Sequence, residues 1–439
     1  MTLIDRASKA GHQAEVYRIR RKAVHVRLHE GELSLVAHRD RSACALRVIH
    51  DGRLGASFAE SPSQDGLLED ASAAARFGQG VSFAFASALS LAASDAGFNP
   101  KTADLTAGDL IDVAVGVRDR ITASVPGAAV NLVCEAASGE RSVETTEGAA
   151  AEEAFSRVTL GVEVPFAAGG GGAAGRRISV GPEEVPDAWL EELIERSSWG
   201  AAPSVPSTGR LPVLLSPYAS SLLTQTLAAC LGSGSVSKGA SPLAEKVGQQ
   251  ILSERLTMRE DPTHAGHPYA RAFDDEGVAV KPRTVIENGV LQGFLTDLAG
   301  AEDLGTSSTG NALRRTMFSQ KIEDAPVPNW LGAIIEPGEQ PWRDLMAGIE
   351  EGILVTRTAG LHSCNLLQGQ YAVQASGFHI RDGQPIGYLE RVMLAGNVFE
   401  DFRAVRAVSR EQEVTADAEM EVAGLAPYIL LDSAQVTVG

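Results

Sequence analysis

The chain has 439 residues, 44% of them hydrophobic, and a formal net charge of −18 at pH 7. That length can bury a large core and predicts two domains. The acidic balance, unrelieved by any run of Lys or Arg, argues against nucleic acid and anionic membranes as partners.

Residues 12–58 read as strands, with Asp51-Gly52 turning one hairpin. The segment 63–77 predicts a helix, because Leu67, Leu68, Ala71 and Ala75 fall on one face. Leu110, Ala114, Val117 and Ile121 repeat that spacing, so 107–123 is a second amphipathic helix. Strands are expected at 129–135, 141–146 and 157–164. They lead into the glycine-rich run 166–175, which reads as a surface loop or hinge. A phosphate-cradling loop would need Lys-Ser/Thr and a helix start after it, and Arg176-Arg177-Ile178-Ser179 supplies neither. A strand at 213–216 and helices over 218–231 and 242–252 open a strand-rich C-terminal half. Its hairpins are marked by Asn288-Gly289 and Asp382-Gly383, since a type I′ turn needs positive φ at both central residues. A helix is expected near 341–350, and the alternation in 371–375 and 384–392 fits half-buried antiparallel strands.

Four scattered cysteines, Cys44, Cys134, Cys230 and Cys364, have no CxxC spacing and read as reduced thiols. The first 13 residues contain no apolar stretch of the signal-peptide kind, so a cytoplasmic location is expected. The longest apolar run, 81–93, is interrupted by Ser82, Ser87 and Ser90 and is too short to span a bilayer.

A zincin needs two His one helical turn apart with Glu beside the first. The one His-Glu pair, His29-Glu30, has no second His at that spacing and reads as a strand turn. His264 and His267 lie near Asp261, Asp274, Asp275 and Glu276, ligand types that suit several divalent ions, but Pro262 and Pro268 flank the pair and a solvated loop is the plainer reading. There is no Gly-x-Ser-x-Gly elbow. Cys364 stands two residues from His362, a spacing that shares a face on a strand, although a small buried thiol is the plainer reading. Arg314-Arg315 could clamp a peptide carboxylate, with a solvated charge pair as the alternative.

Several short stretches occur in one order along nearly the whole chain. They include Leu46-Arg47-Val48-Ile49-His50-Asp51-Gly52-Arg53-Leu54-Gly55, the run 238–248 that begins Lys238-Gly239-Ala240-Ser241-Pro242, and Asp274-Asp275-Glu276-Gly277. Glu287-Asn288-Gly289, Ser308-Thr309-Gly310-Asn311-Ala312, Gly360-Leu361-His362-Ser363, Ala375-Ser376-Gly377-Phe378 and Leu394-Ala395-Gly396-Asn397 follow. Together they resemble the TldD/PmbA family of peptidases. The resemblance implies an N-terminal α/β domain over 1–205 and a mainly antiparallel, curved, barrel-like β domain with inserted helices over 206–439.

In that family a TldD-type zinc subunit works with a TldE/PmbA-type subunit that lacks the metal motif. Here the segment 226–232, where the family's metal helix is placed, has no His or Glu, and the tail 426–439 has no Cys or His. The chain therefore resembles the TldE/PmbA branch. The implied function is a non-catalytic subunit in a complex that cleaves peptide or amide bonds in small or unfolded peptides. No catalytic residue and no cofactor are expected in this chain, with zinc in the partner. That partner is a TldD-type metallopeptidase subunit in a heterodimer, or a second copy in a homodimer. Candidate substrate-chamber residues are His362, Ser363, Cys364, Asn365, Arg314 and Arg315. The alternative is a stand-alone homodimeric hydrolase or binding protein acting on a small peptide-like metabolite, in a biosynthetic pathway.

Overall fold

The computed structural model describes residues 2–60, 66–88, 97–166, 169–265, 267–314, 322–417 and 422–439. Six strands form the N-terminal sheet: β1 (Gln13–His29), β2 (Glu32–His50), β3 (Arg53–Ala59), β4 (Asn131–Thr145), β5 (Ala150–Pro165) and β6 (Gly172–Ser179). Their order is β3-β2-β1-β4-β5-β6, and every pairing is antiparallel. Glu30-Gly31 and Asp51-Gly52 turn the first two hairpins with positive φ at all four residues. His29-Glu30 thus lies at a strand end, as its sequence suggests.

The strands expected at 129–135 and 141–146 are one strand, β4. Residues 136–140 keep their pairing to β1 on one side and β5 on the other. Gly139 makes this possible, because a Cβ there would sit 2.0 Å from the Arg20 carbonyl. The glycine-rich run is only partly loop. Gly169 and Gly170 turn the chain at positive φ, and Gly172 to Gly175 already belong to β6.

Helices cover one face of this sheet. The helix Leu67–Ala75 buries the four residues its spacing selects, and they pack with Ala14, Val16, Leu46 and Val48 or lie directly over β3. Gly55 permits that approach, since a Cβ there would meet the Ala71 carbonyl at 2.1 Å. The expected start at 63 falls partly outside the described residues. The helix Ala107–Ser124 opens with a Thr106/Asp109 capping box and buries Leu110, Ala114, Val117 and Ile121 against Val26, Leu28 and Leu132.

The C-terminal half closes on itself. The strands Gly209–Leu215, Glu351–Ala359, Gln370–Arg381, Val392–Asn397 and Val422–Val438 pair in that order, and the last returns to the first, making a five-strand barrel. Val213, Leu215, Ile353 and Val355 join one core together with Leu222, Leu223 and Leu227 of the helix Ser221–Leu231. Leu214 and Leu354, pointing the other way, share a second core with Val26, Leu132 and Val162 of the N-terminal sheet. Strands buried on both faces read as continuous apolar runs, and Val213-Leu214-Leu215 is one. The α/β region with a curved, mainly antiparallel barrel is the fold the family resemblance implies.

Both later hairpins turn as expected, with φ of 46° and 77° at Asn288 and Gly289 and 49° and 73° at Asp382 and Gly383. The helix near 341–350 is Trp342–Ala347. The helix expected over 242–252 does not form. That segment runs through three-residue turns, and the amides of Gly248 and Ile251 donate to the carbonyls of Leu291 and Gly289 in the neighbouring hairpin. Those bonds capture donors that a helix would need. No helix of the described residues is long and apolar enough to cross a membrane.

Candidate functional site at the junction of sheet and barrel

A cavity of about 420 Å³ opens where the ends of β1, β4, β5 and β6 meet the barrel and the helix Asp187–Trp199. Its floor is an ionic cluster. Arg196 donates to Glu192 and to the Tyr428 hydroxyl, and that hydroxyl donates to Glu413 at 3.2 Å. Burial pushes the Glu413 carboxyl above its ordinary range, although Arg196 opposes the shift. At the rim stand Arg27, Arg176, Arg357 and Glu163, with Arg357 and Glu163 3.7 Å apart and each side chain nearly half exposed. Trp189 forms an apolar wall. It lies close over β6 because position 175 is glycine, where a Cβ would be 2.6 Å from the indole.

Ser216 and Tyr218 also line the cavity and lead into the helix Ser221–Leu231, so the cavity lies at that helix's N-terminal end. Ser216 Oγ donates to the Thr356 carbonyl at 3.0 Å and is itself engaged in starting the turn through Ala219 N–H. The helix carries Ser, Leu, Thr, Gln, Ala and one Cys, with no imidazole or carboxylate. Its only sulfur, Cys230, is buried and donates to the carbonyls of Leu366 and Leu367 at 3.5 and 3.2 Å. Burial pushes that thiol up to about 12, which keeps it protonated at neutral pH. This donor set does not fit zinc. Among the described residues no group of three His, Cys, Asp or Glu side chains has metal-binding geometry.

The expected chamber residues lie elsewhere. Leu366 and Leu367, which receive Cys230, follow the short turn Leu361–Ser363, so the segment 360–369 packs against the C-terminal part of the same helix. His362, Ser363 and Asn365 are exposed there and Cys364 is half-buried. The local backbone is a 3₁₀ turn, so the face-sharing argument for a strand does not apply to His362 and Cys364. The Cys364 sulfur accepts instead from the Ala372 amide at 3.4 Å. None of these four lines the cavity.

Arg314 is fully buried, and Arg315 lies outside the described residues. The Arg314 guanidinium donates to Glu15 of β1 and to the carbonyl of Asp324 at 3.2 Å, and it sits 5.2 Å over the Tyr17 ring. It is neither a solvated charge nor open to a peptide carboxylate. Arg47 holds the same Glu15 through Nε at 3.0 Å and reaches Glu276 at 2.9 Å. Asp275 accepts from Arg271 at 3.0 Å and from the Arg314 amide at 2.9 Å. Asp274 accepts from the amides of Glu276, Val278 and Ala312 at 2.9 to 3.0 Å.

The segment Asp274-Asp275-Glu276, expected beside a solvated loop, is therefore a buried ionic hub that ties the N-terminal sheet to residues 271–314 of the C-terminal half. His267 is buried with it. Four carboxylates (Glu15, Asp274, Asp275, Glu276) face three guanidiniums (Arg47, Arg271, Arg314), and burial together with Glu276 pushes the Asp274 carboxyl well above its ordinary range. Their acceptor positions are filled by guanidinium and amide donors, so among the described residues they form no metal-binding group with His264 and His267.

The cavity residues were not legible from sequence. Arg27, Glu163, Arg196, Arg357 and Glu413 come from five distant segments. The one local signal is Arg357, which stands just before the Gly360-Leu361-His362-Ser363 stretch.

Comparison with known proteins gives the chain its family. A model described as PmbA/TldA metallopeptidase C-terminal domain matches residues 208–438, and PmbA/TldA metallopeptidase domain 1 matches 14–76. An uncharacterized protein of Methanocaldococcus jannaschii is 30% identical over 214 residues, 48% of each chain. A protein named metalloprotease from Methanothermobacter thermautotrophicus is 27% identical over 275 residues, 61% of this chain and 59% of the relative. The chain thus spans roughly half the length of the curated relatives it matches. TldE from Thermococcus kodakarensis has the same fold, with a TM-score of 0.90 over 100% of this chain and 99% of that one, at 23% identity. With a family model over more than half its length and the family's motifs in order, the chain belongs to the PmbA/TldD family of metallopeptidase-related proteins, in the TldE/PmbA-type branch without the zinc motif.

Proposed function

We propose that this chain is a TldE/PmbA-type subunit with no catalytic group of its own. It pairs with a TldD-type zinc metallopeptidase and shapes the space in which peptide or amide bonds of small or unfolded peptides are cleaved. One observation carries the reading: the helix Ser221–Leu231 offers no zinc ligand, and its single thiol is buried and protonated. Zinc in the partner would supply the activated water. A second reading, a stand-alone homodimeric hydrolase or binding protein acting on a small peptide-like metabolite, is favoured by the cavity of about 420 Å³, a size within the range of small-molecule sites.

Co-expression with a TldD-type subunit tests the first reading. The two chains should co-purify, and peptidase activity should require both. The chain purified alone should hold zinc well below one ion per molecule and show no chelator-sensitive peptidase activity. One tightly bound zinc, lost together with activity on chelation, would overturn the proposal.

The exposed turn Leu361–Ser363 gives a second test in the reconstituted pair. If His362 orients a peptide group by one hydrogen bond, His362→Ala should raise KM by roughly threefold to tenfold and leave kcat nearly unchanged. Cys364→Ser should be close to neutral, because the half-buried sulfur's hydrogen bonds among the described residues go to backbone groups of its own segment and of residue 372, which a hydroxyl can also make. A collapse of kcat in either variant, with the partner's metal intact, would place chemistry in this chain.

A further inference from the structure

We infer that the cavity between sheet and barrel is a binding site for a small carboxylate-bearing molecule. The inference does not rest on pairing with a second subunit, since the arginines it invokes all belong to this chain and its test uses this chain alone. At about 420 Å³ the space lies within the range of small-molecule sites, roughly 300–1,000 Å³.

Charge selects the ligand class. The chain as a whole carries −18, yet the rim of this cavity sets three arginines, Arg27, Arg176 and Arg357, against one carboxylate, Glu163. The Arg357–Glu163 separation of 3.7 Å is loose for an ion pair, and both side chains are partly solvated. An incoming carboxylate can therefore take the guanidinium with little loss. Deeper in, Arg196 is shared between the two floor carboxylates, Glu192 directly and Glu413 through Tyr428, so the lining as a whole sets four guanidiniums against three carboxylates. The positive end of the helix Ser221–Leu231 lies on the same side, marked by Ser216 and Tyr218 in the lining. Guanidinium groups match a planar carboxylate in a paired-donor geometry. The ring of Tyr218 offers apolar cover for whatever that carboxylate is attached to. A free organic acid and the C-terminus of a short peptide share this chemistry.

The architecture also supplies a way to block the site. Gly161 of β5 lines the cavity on the face that carries Glu163, two residues on, and a Cβ built there meets nothing closer than 4.0 Å. A large side chain at 161 should fill the cavity without displacing a neighbour.

Calorimetric titration of the purified chain with N-acetyl-trialanine, its C-terminal amide and N-acetylalanine tests the inference. Binding of either free acid supports it: the tripeptide alone indicates a peptide terminus, and both together indicate any small acid. The amide should bind at least about tenfold more weakly than the acid, and Arg357→Gln and Arg27→Gln should each weaken the acid by about tenfold. Gly161→Phe should abolish binding with the thermal unfolding midpoint unchanged. Equal affinity for acid and amide, or full affinity in Gly161→Phe or in the double Arg→Gln variant, would overturn the assignment. So would absence of binding at millimolar ligand, or displacement of the peptide by equimolar inorganic phosphate, which would mark an unselective anion site.

Discussion

Arg47→Met should lower the unfolding free energy of this protein by about 3–5 kcal/mol, the usual result of removing one partner from a buried ionic group. Arg47 is 4% exposed and stands between two carboxylates, Glu15 of β1 and Glu276 of the hub, with the Phe85 ring 5.2 Å from its guanidinium. Met would keep much of the apolar contact with Phe85 and remove the charge. Glu15 would retain Arg314, but Glu276 would keep only the Leu298 amide at 2.7 Å. Two buried carboxylates would then face each other without the cation that separates them. The double variant Arg47→Met/Glu276→Gln should recover part of the loss, because it removes the orphaned charge. Denaturant unfolding at neutral pH reads both. A loss under about 1 kcal/mol for the single variant would mean that the hub does not hold the sheet to residues 271–314.

The second large effect is a pH dependence centred on Glu260, on the short strand Met258–Glu260 beside the barrel. One of its oxygens accepts from Asn311 at 3.0 Å and from the amides of Leu331 and Gly332 at 2.9 and 3.2 Å, while the other has no partner among the described residues. Burial dominates over those donors and over the charge of Arg283, and pushes the carboxyl from 4.5 up to about 7. The sign follows from the folded value lying above the unfolded one. The group's contribution to stability is fully present below about pH 4.5 and is lost as pH rises through about 7. A shift of that size corresponds to a loss of about 3 kcal/mol by pH 8. Glu260→Gln preserves the oxygen that accepts the three bonds and cannot ionise. The difference in unfolding free energy between variant and parent should therefore grow in the variant's favour from pH 5.5 to pH 8, with contributions of other groups cancelling in the difference. A variant that becomes the less stable of the two at pH 8 would show that the ionised carboxylate is needed by Arg283.

Local features were legible in the sequence where local physics decides them. Asp51-Gly52, Asn288-Gly289 and Asp382-Gly383 turn hairpins because both central residues must adopt positive φ. The helices Leu67–Ala75 and Ala107–Ser124 bury the residues that their 3.6-residue period selects. Non-local pairing is where sequence reading failed. Residues 136–140 look like a break between two strands, yet β1 and β5 hold them on both sides. The segment 242–252 looks helical, yet a hairpin elsewhere in the chain takes its amides. Glu276 and Arg314 look like surface charge, because the groups that neutralise them, Arg47 and Glu15, stand more than 200 residues away. The cavity has the same origin. Its arginines come from β1, β6, a helix and a barrel strand, and no window of sequence contains two of the three rim arginines together.

The closure of the barrel also fixes an order of events during synthesis. The strand Gly209–Leu215 pairs with Glu351–Ala359 and with Val422–Val438, and Val422–Val438 in turn pairs with Val392–Asn397, Val405–Asp417 and Gly332–Ile335. As the chain leaves the ribosome from its N-terminus, the first barrel strand is complete some 200 residues before the strand that closes the ring beside it. During that interval the nascent barrel is an open sheet whose edge amides and carbonyls are free to recruit other chains. The N-terminal sheet has no such wait, because its hairpins join neighbours in sequence and only β1 must await β4. Folding should therefore be fast in the sheet and slow in the barrel, and chaperone dependence during expression should concentrate on the residues after 209.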